Sequence, residues 1–207
     1  MTPEEKLLRD GLNTLKLSTN DDKVAKLLAF IALIEKWNKA YNLTAIRRRD
    51  EMVNLHLLDS IAILPYLEGK QIIDVGTGAG LPSIPLSIFR PDIEFQLLDS
   101  NAKKTRFVQQ AILELNLSNV KVTHSRVENF QPEKLFDTVL TRAFARLPEI
   151  IDLTQHLISK NGVLLCMKGQ MPEEELAAVN AQTTLISISV PHLEAERCLV
   201  KITHFKS

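Results

Sequence analysis

Residues 71–86, QIIDVGTGAGLPSIPL, decide the fold. An apolar pair, Ile72 and Ile73, runs into Asp74, and glycines follow at Gly76, Gly78 and Gly80 before a second apolar segment. The pattern predicts a buried strand, a tight loop and the start of a helix. Alternate glycines let the backbone turn at positive φ and let a ligand lie against bare main chain. Such a loop is also expected to aim unpaired N–H groups at whatever sits at the helix N-terminus.

Outward from that loop, the chain divides by rhythm. After Gly69, strand-like runs alternate with helical ones, the signature of a parallel α/β sheet. Strands are expected over 72–75, 94–98, 120–123, 136–140 and 162–167, with helices over about 103–116, 150–158 and 172–180. Two β-rich runs, 184–190 and 197–205, read as an antiparallel pair closing the sheet. The expected fold is therefore a Rossmann-like, mostly parallel α/β sheet with a closing antiparallel pair. Residues 1–68 read instead as a helical extension packed on the core of residues 69–207, in a single compact domain. Leu27, Phe30, Ile31, Ile34, Trp37 and Tyr41 follow three- and four-residue steps on one helix face. Asn20, Asp21 and Asp22 suit that helix's N-terminus. Arg47, Arg48 and Arg49 read as a solvated face or a phosphate contact. His56 and Asp59 are three residues apart on a helical stretch and are expected to share a hydrogen bond.

Composition excludes several classes. The 207 residues are 45% hydrophobic and 24% charged, with 25 basic and 25 acidic side chains. A zero net charge gives no global attraction to polyanions, so any such partner must meet a local patch. Cys166 and Cys198 each sit in an apolar run and read as reduced core residues. The five histidines are scattered, which predicts no metal site. The charged N-terminus lacks the apolar core of a signal peptide, and no stretch is long enough to span a membrane. A cytoplasmic monomer with no membrane partner is expected.

The spacing of the loop constrains its ligand. A dinucleotide loop reads G-x-G-x-x-G, but the third glycine's place holds Leu81, followed by Pro82. Asp74, two residues before the first glycine, sits badly beside a pyrophosphate. S-adenosylmethionine, which carries a sulfonium and no phosphate, tolerates it better. Asp99, at the end of the second strand, suits ribose hydroxyls of either cofactor and does not discriminate.

Beyond the loop, KWNKAYNLTAI, HLLDSI, DVGTGAGLPSIPL, LLDSNAKK, SRVE, TRAFA, MKGQMP and ERCLVKI occur in order from Trp37 onward. In these motifs the chain resembles the small-subunit ribosomal RNA methyltransferase G family, also called glucose-inhibited division protein B. It departs slightly at Ser83 and Thr141, where that family often has glycine and serine. The resemblance implies S-adenosylmethionine-dependent methylation of guanine N7 in a loop of 16S ribosomal RNA, presented as RNA or small subunit. It implies a cofactor site at Gly76, Leu81, Val127, Glu128 and Arg142. The residue reading adds Asp74, Gly78, Gly80 and Asp99. Each group follows a strand, where open α/β sheets bind ligands.

Guanine N7 offers a free lone pair, so no general base is expected; alignment carries the chemistry. Arg142 is the expected catalytic residue, its fork holding guanine O6 or a phosphate. Lys103, Lys104, Arg126, Arg146 and Lys168, with Arg142, are the candidate RNA cations at the strand ends. Phe144 is the candidate for stacking on a splayed base. Three rivals remain at this stage: an NAD-type oxidoreductase, a small-molecule methyltransferase, and a non-enzymatic ribosome-assembly RNA binder.

Overall fold

A computed structural model describes residues 1–204, and in it the alternation after Gly69 becomes one seven-stranded sheet. Its strands are β1 (Gln71–Val75), β2 (Glu94–Asp99), β3 (Val120–His124), β4 (Phe136–Arg142), β5 (Ile158–Lys168), β6 (Gln182–Ser187) and β7 (Cys198–Thr203). The order is β3-β2-β1-β4-β5-β7-β6, parallel from β3 to β5 and antiparallel where β7 meets both β5 and β6. The chain reverses direction across the sheet between β1 and β4. The carboxyl ends diverge there, and ligands of such sheets bind there.

Side-chain alternation divides the core. Ile72, Leu97, Leu140, Leu165 and Leu199 face one cluster, while Ile73, Leu98, Val139, Leu164 and Val200 face the other. The first face is covered by α1 (Pro3–Thr14), α2 (Asp21–Tyr41), α5 (Ser83–Phe89) and α6 (Ala102–Glu114); α7 (Leu147–Thr154) covers the second. Between them in sequence lie two short helices, α3 (Arg49–Met52) and α4 (Asp59–Ile61), and after them α8 (Glu173–Ala177). The helices of residues 1–68 thus share one apolar cluster with the sheet.

Local signals explain these helices. Asn20 Oδ1 accepts the Lys23 amide at 3.0 Å to cap α2, and α2 ends where Asn42 turns left-handed at φ 49°. On its buried face, Trp37 stacks on Tyr41 (5.2 Å between centroids) and meets Phe107 of α6 edge-on at 5.7 Å.

Three expectations need correction. The fifth strand starts earlier than 162, because Phe136 pairs with Ile158 across an irregularity in the β4–β5 register. The closing strands lie at Gln182–Ser187 and Cys198–Thr203, because Ile188 and Val190 turn into the core beyond the ladder. Phe205, the expected end of the last strand, lies outside the described residues. The His56–Asp59 bond does not form. Residues Val53–Leu58 make a π-helical segment whose wider turn carries the two side chains to different sides. His56 Nε2 instead meets Thr44 Oγ1 at 3.0 Å, and Asp59 faces the sheet.

Candidate active site

The glycine loop is closed on itself. The amides of Gly76 and Thr77 both donate to Leu98 O, at 2.8 and 3.1 Å. The Gly78 amide donates to Asp99 Oδ2 at 2.9 Å, and those of Gly80 and Leu81 donate to Thr77 O. The expected supply of free N–H groups is therefore not there. The amides of Gly76, Thr77 and Gly78 tie β1 to β2 and those of Gly80 and Leu81 close the loop on itself, which removes most of the donors a pyrophosphate needs. Gly76, at φ 73°, lies so close to the Phe144 ring that a Cβ would fall inside it.

Above the carboxyl ends of β1, β2 and β3 opens a cavity of ≈ 420 Å³, within the range of small-molecule sites. Gly76, Asp99, Lys104, Arg126, Val127 and Glu128 line it, so six residues singled out from the sequence converge. Phe144 and Ala143, from the loop after β4, form its far wall. Asp99 holds the floor: its second oxygen accepts the Asn101 amide at 2.8 Å, and each oxygen keeps a lone pair toward the cavity. Ser100 and Ser125 also line the cavity; both stand within the family motifs LLDSNAKK and SRVE, but neither was singled out as a site residue.

Several expected cofactor residues are not at this surface. Asp74 is 1% exposed and accepts from the Thr77 hydroxyl at 2.8 Å. Burial pushes its carboxyl up to about 7, while hydrogen bonds from Ser83 and Thr77 pull the other way. It supports the loop from beneath. Gly80 and Leu81 are likewise buried behind the loop. Gly78 is half-buried and outside the cavity lining.

Arg142, the last residue of β4, faces a second cavity of ≈ 270 Å³ beside the first. Ala143 borders both. The Arg142 guanidinium donates to Leu55 O at 2.8 Å and pairs with Asp59 at 3.4 Å. Asp59, 4% exposed at its side chain, also accepts from Arg197 Nε at 2.9 Å. Ile63, Met167 and Ile188 supply the apolar walls. Sequence reading missed this pocket, because Asp59 and Arg197 are far apart in the chain. His56 lies behind it, buried, its imidazole lowered to about 4 by burial and by the Arg142 charge.

The expected RNA cations separate into two groups. Among the described residues, Lys103, Lys104, Arg126 and Arg146 make no ion pair, and all but half-buried Lys104 are exposed. Lys104 and Arg126 line the larger cavity, and Lys103, beside Lys104 in the first turn of α6 behind the Asn101 cap, does not. Lys168 is committed elsewhere: its ammonium donates to Ala145 O at 3.0 Å and to Glu175 at 2.9 Å. Arg48 and Arg49 are similarly neutralised by Asp50 and Glu35. Phe144 packs on Gly76 in the larger cavity, so it does not line the pocket around Arg142. No group of side chains among the described residues has the makings of a metal site, and no described helix is long and apolar enough to cross a membrane.

Residues 23–200 match the GidB family, described as rRNA small subunit methyltransferase G. Among curated relatives, the ribosomal RNA small subunit methyltransferase G of Nitrosococcus oceani is 50% identical over 96% of this chain and 94% of its own. That of Legionella pneumophila subsp. pneumophila is 48% identical over the same shares. Solved structures share the fold: a SAM dependent methyltransferase from Aquifex aeolicus has TM-score 0.55 at 19% identity, covering 73% of this chain and 92% of its own. A precorrin-6y C5,15-methyltransferase from Geobacter metallireducens also reaches 0.55 at 15% identity, covering 69% and 87%.

Proposed function

Because the chain belongs to the ribosomal RNA small subunit methyltransferase G family, we propose that it methylates N7 of a guanine in 16S ribosomal RNA, in naked form or within the small subunit. The cofactor is S-adenosylmethionine, and the larger cavity has the character to hold it. Asp99 offers lone pairs to ribose, Val127 and Glu128 stand where the adenine edge would lie, and Gly76 gives close backbone approach. With most of the loop amides already bonded, few donors remain for a pyrophosphate, which disfavours the NAD reading. When bound, the cofactor supplies a methyl group already activated on sulfonium.

What the chain must add is alignment, worth roughly 7–11 kcal/mol when two reactants are held in line. N7 carries no proton, so no base is needed, and none stands ready: Asp74 is buried under the loop and His56 behind Arg142. Arg142 holds guanine O6 in this reading, which is supported by its position lining the second cavity next to Ala143, a residue of both cavities. That shared wall is the observation that carries the reading. Lys103, Lys104, Arg126 and Arg146 meet the RNA backbone from the rim. The protein acts as a monomer in the cytoplasm, with the helices of residues 1–68 forming part of the substrate side.

Single-turnover transfer from labelled cofactor to deproteinised RNA and to intact small subunits tests this. Arg142→Ala should slow transfer by orders of magnitude while cofactor titration is unchanged. Near-normal turnover in that variant would remove Arg142 from the chemistry.

A further inference from the structure

The second cavity contains a charged group that the reading above leaves unused. Asp59 is buried between two arginines, one from β4 and one from the segment leading into β7, and still lines the cavity. A carboxylate has about four acceptor positions. Arg142 and Arg197 occupy one oxygen each, at 3.4 and 2.9 Å, which leaves a position on each oxygen. Ile63, Met167 and Ile188 supply apolar walls, and Lys168, whose ammonium is already held by Ala145 O and Glu175, also lines the cavity. An apolar slot with one polar wall is the form taken by pockets that receive a flipped base and read its edge.

The order of charges along the wall is informative. Arg142 presents donors beside the acceptors of Asp59. Guanine presents the complement: O6 accepts, and next to it N1–H and the N2 amine both donate. Adenine presents a donor where O6 would be and an acceptor at N1, so it opposes the wall at both places. Placing O6 on Arg142 also fixes the reacting atom. N7 is the neighbour of O6 on the opposite side from N1, and Arg142 adjoins Ala143, the residue common to both cavities. A guanine read by Asp59 therefore turns N7 toward the larger cavity.

Resting on the methyltransferase reading, we propose that Asp59 is the guanine-selecting residue, accepting N1–H and the N2 amine of the target base, and that Arg197 is its positioning residue. Arg197 holds Asp59 from the outer side, and its Nη1 also donates to Glu196 O at 2.8 Å, which fixes the fork. The π-helical segment Val53–Leu58 sets the phase that delivers Asp59 to this wall.

The test uses small subunits reconstituted with 16S RNA carrying either guanine or inosine at the methylated position. Inosine keeps O6, N1–H and N7 and lacks only the N2 amine. Wild-type protein should methylate the inosine substrate with kcat/KM roughly 10- to 100-fold lower, the consequence of one unpaired buried acceptor. In Asp59→Asn the ratio should fall to about one or invert, with cofactor affinity unchanged. Arg197→Met should reduce the ratio and Arg197→Lys should restore part of it, an effect that simple loss of stability does not produce. The inosine comparison needs no substitution, so it decides even if Asp59→Asn folds poorly. Equal wild-type rates on both substrates, or an undiminished ratio in Asp59→Asn, overturns the assignment and leaves the methyltransferase reading standing. No methylation of the guanine substrate by wild type overturns both.

Discussion

Replacing Gly76 with alanine separates two costs that the structure assigns to different atoms. The first is conformational: at φ 73° an L-residue sits in the left-handed region, which costs about 1–2 kcal/mol. The second is steric: the new methyl would enter the Phe144 ring, and forcing an extra carbon into a packed site costs about 1–3 kcal/mol. Gly76→Ala should therefore lower stability by about 2–5 kcal/mol. Gly78 provides the control. It has φ 61°, but an alanine methyl there meets nothing nearer than the Gly76 carbonyl oxygen at 4.0 Å, an ordinary contact, so Gly78→Ala should cost only the conformational share, about 1–2 kcal/mol. Urea unfolding of Gly76→Ala, Phe144→Ala and the double variant forms a closed cycle. The steric share should vanish when the ring is removed, giving a coupling of about 1–3 kcal/mol. Additive effects in that cycle, or equal losses at Gly76 and Gly78, would refute the placement of Phe144 against the loop. Cofactor titration adds a second readout: Gly76→Ala should weaken binding more than Gly78→Ala, because only Gly76 lines the cavity.

Other consequences follow from the charges. Lys103→Ala with Lys104→Ala should weaken RNA binding and flatten the plot of log K against log salt by about 0.7 for each phosphate no longer neutralised; an unaltered slope removes both from the RNA surface. Lys168→Met should lower the melting temperature by freeing Glu175 and Ala145, yet leave the salt slope alone; a reduced slope would return Lys168 to the RNA surface. Asp74 has a folded pKa raised to about 7 from 3.8, so the folded state binds more protons in that window and Asp74 loses stabilising effect as pH rises through it. Unfolding free energies should therefore favour Asp74→Asn over wild type increasingly from about pH 4 to about pH 7 and level off above that, and a constant difference would contradict the burial. His56 has the opposite sign: its folded pKa lies near 4 against 6.5, so its neutral form stabilises above that window and the effect is lost as pH falls from 6.5 toward 4. His56→Gln should be less sensitive to that acidification in the same assay.

Most of the sheet was legible from residues 69–207, because buried parallel strands between amphipathic helices leave a repeating apolar signal. Asp99 could be placed for the same reason, because the end of a parallel strand fixes where a residue points; Val127 and Glu128 were marked by the family resemblance, and they lie in a turn beyond the end of β3. The accessibility of Asp74 was not legible. A strand-end carboxylate looks the same in sequence whether it faces the ligand or supports the loop, and the Thr77 contact decides. The fate of the loop amides depended on the Leu98 carbonyl of a neighbouring strand. The π-helical segment has no proline or glycine to announce it, so a 3.6-residue period placed His56 and Asp59 together when they are apart. The Asp59–Arg197 pair joins an early helix to the entry of β7, a contact carried by tertiary packing alone.

The position of β7 also bears on how the protein comes into being. β6 precedes β7 in the chain, yet β7 lies between β5 and β6. During synthesis, β6 emerges before β7, the strand it pairs with, so its β-prone sequence QTTLIS has no native partner until the following segment inserts against the open edge of β5. Arg197 arrives with that same insertion, so Asp59 gains its outer partner only then. The glycine loop and the strands beneath the larger cavity all precede β7 in the chain, whereas the pocket around Arg142 needs Arg197 and Cys198 at the entry of β7. The two cavities thus differ in when they can be completed: the second closes only with the insertion of a single late interior strand.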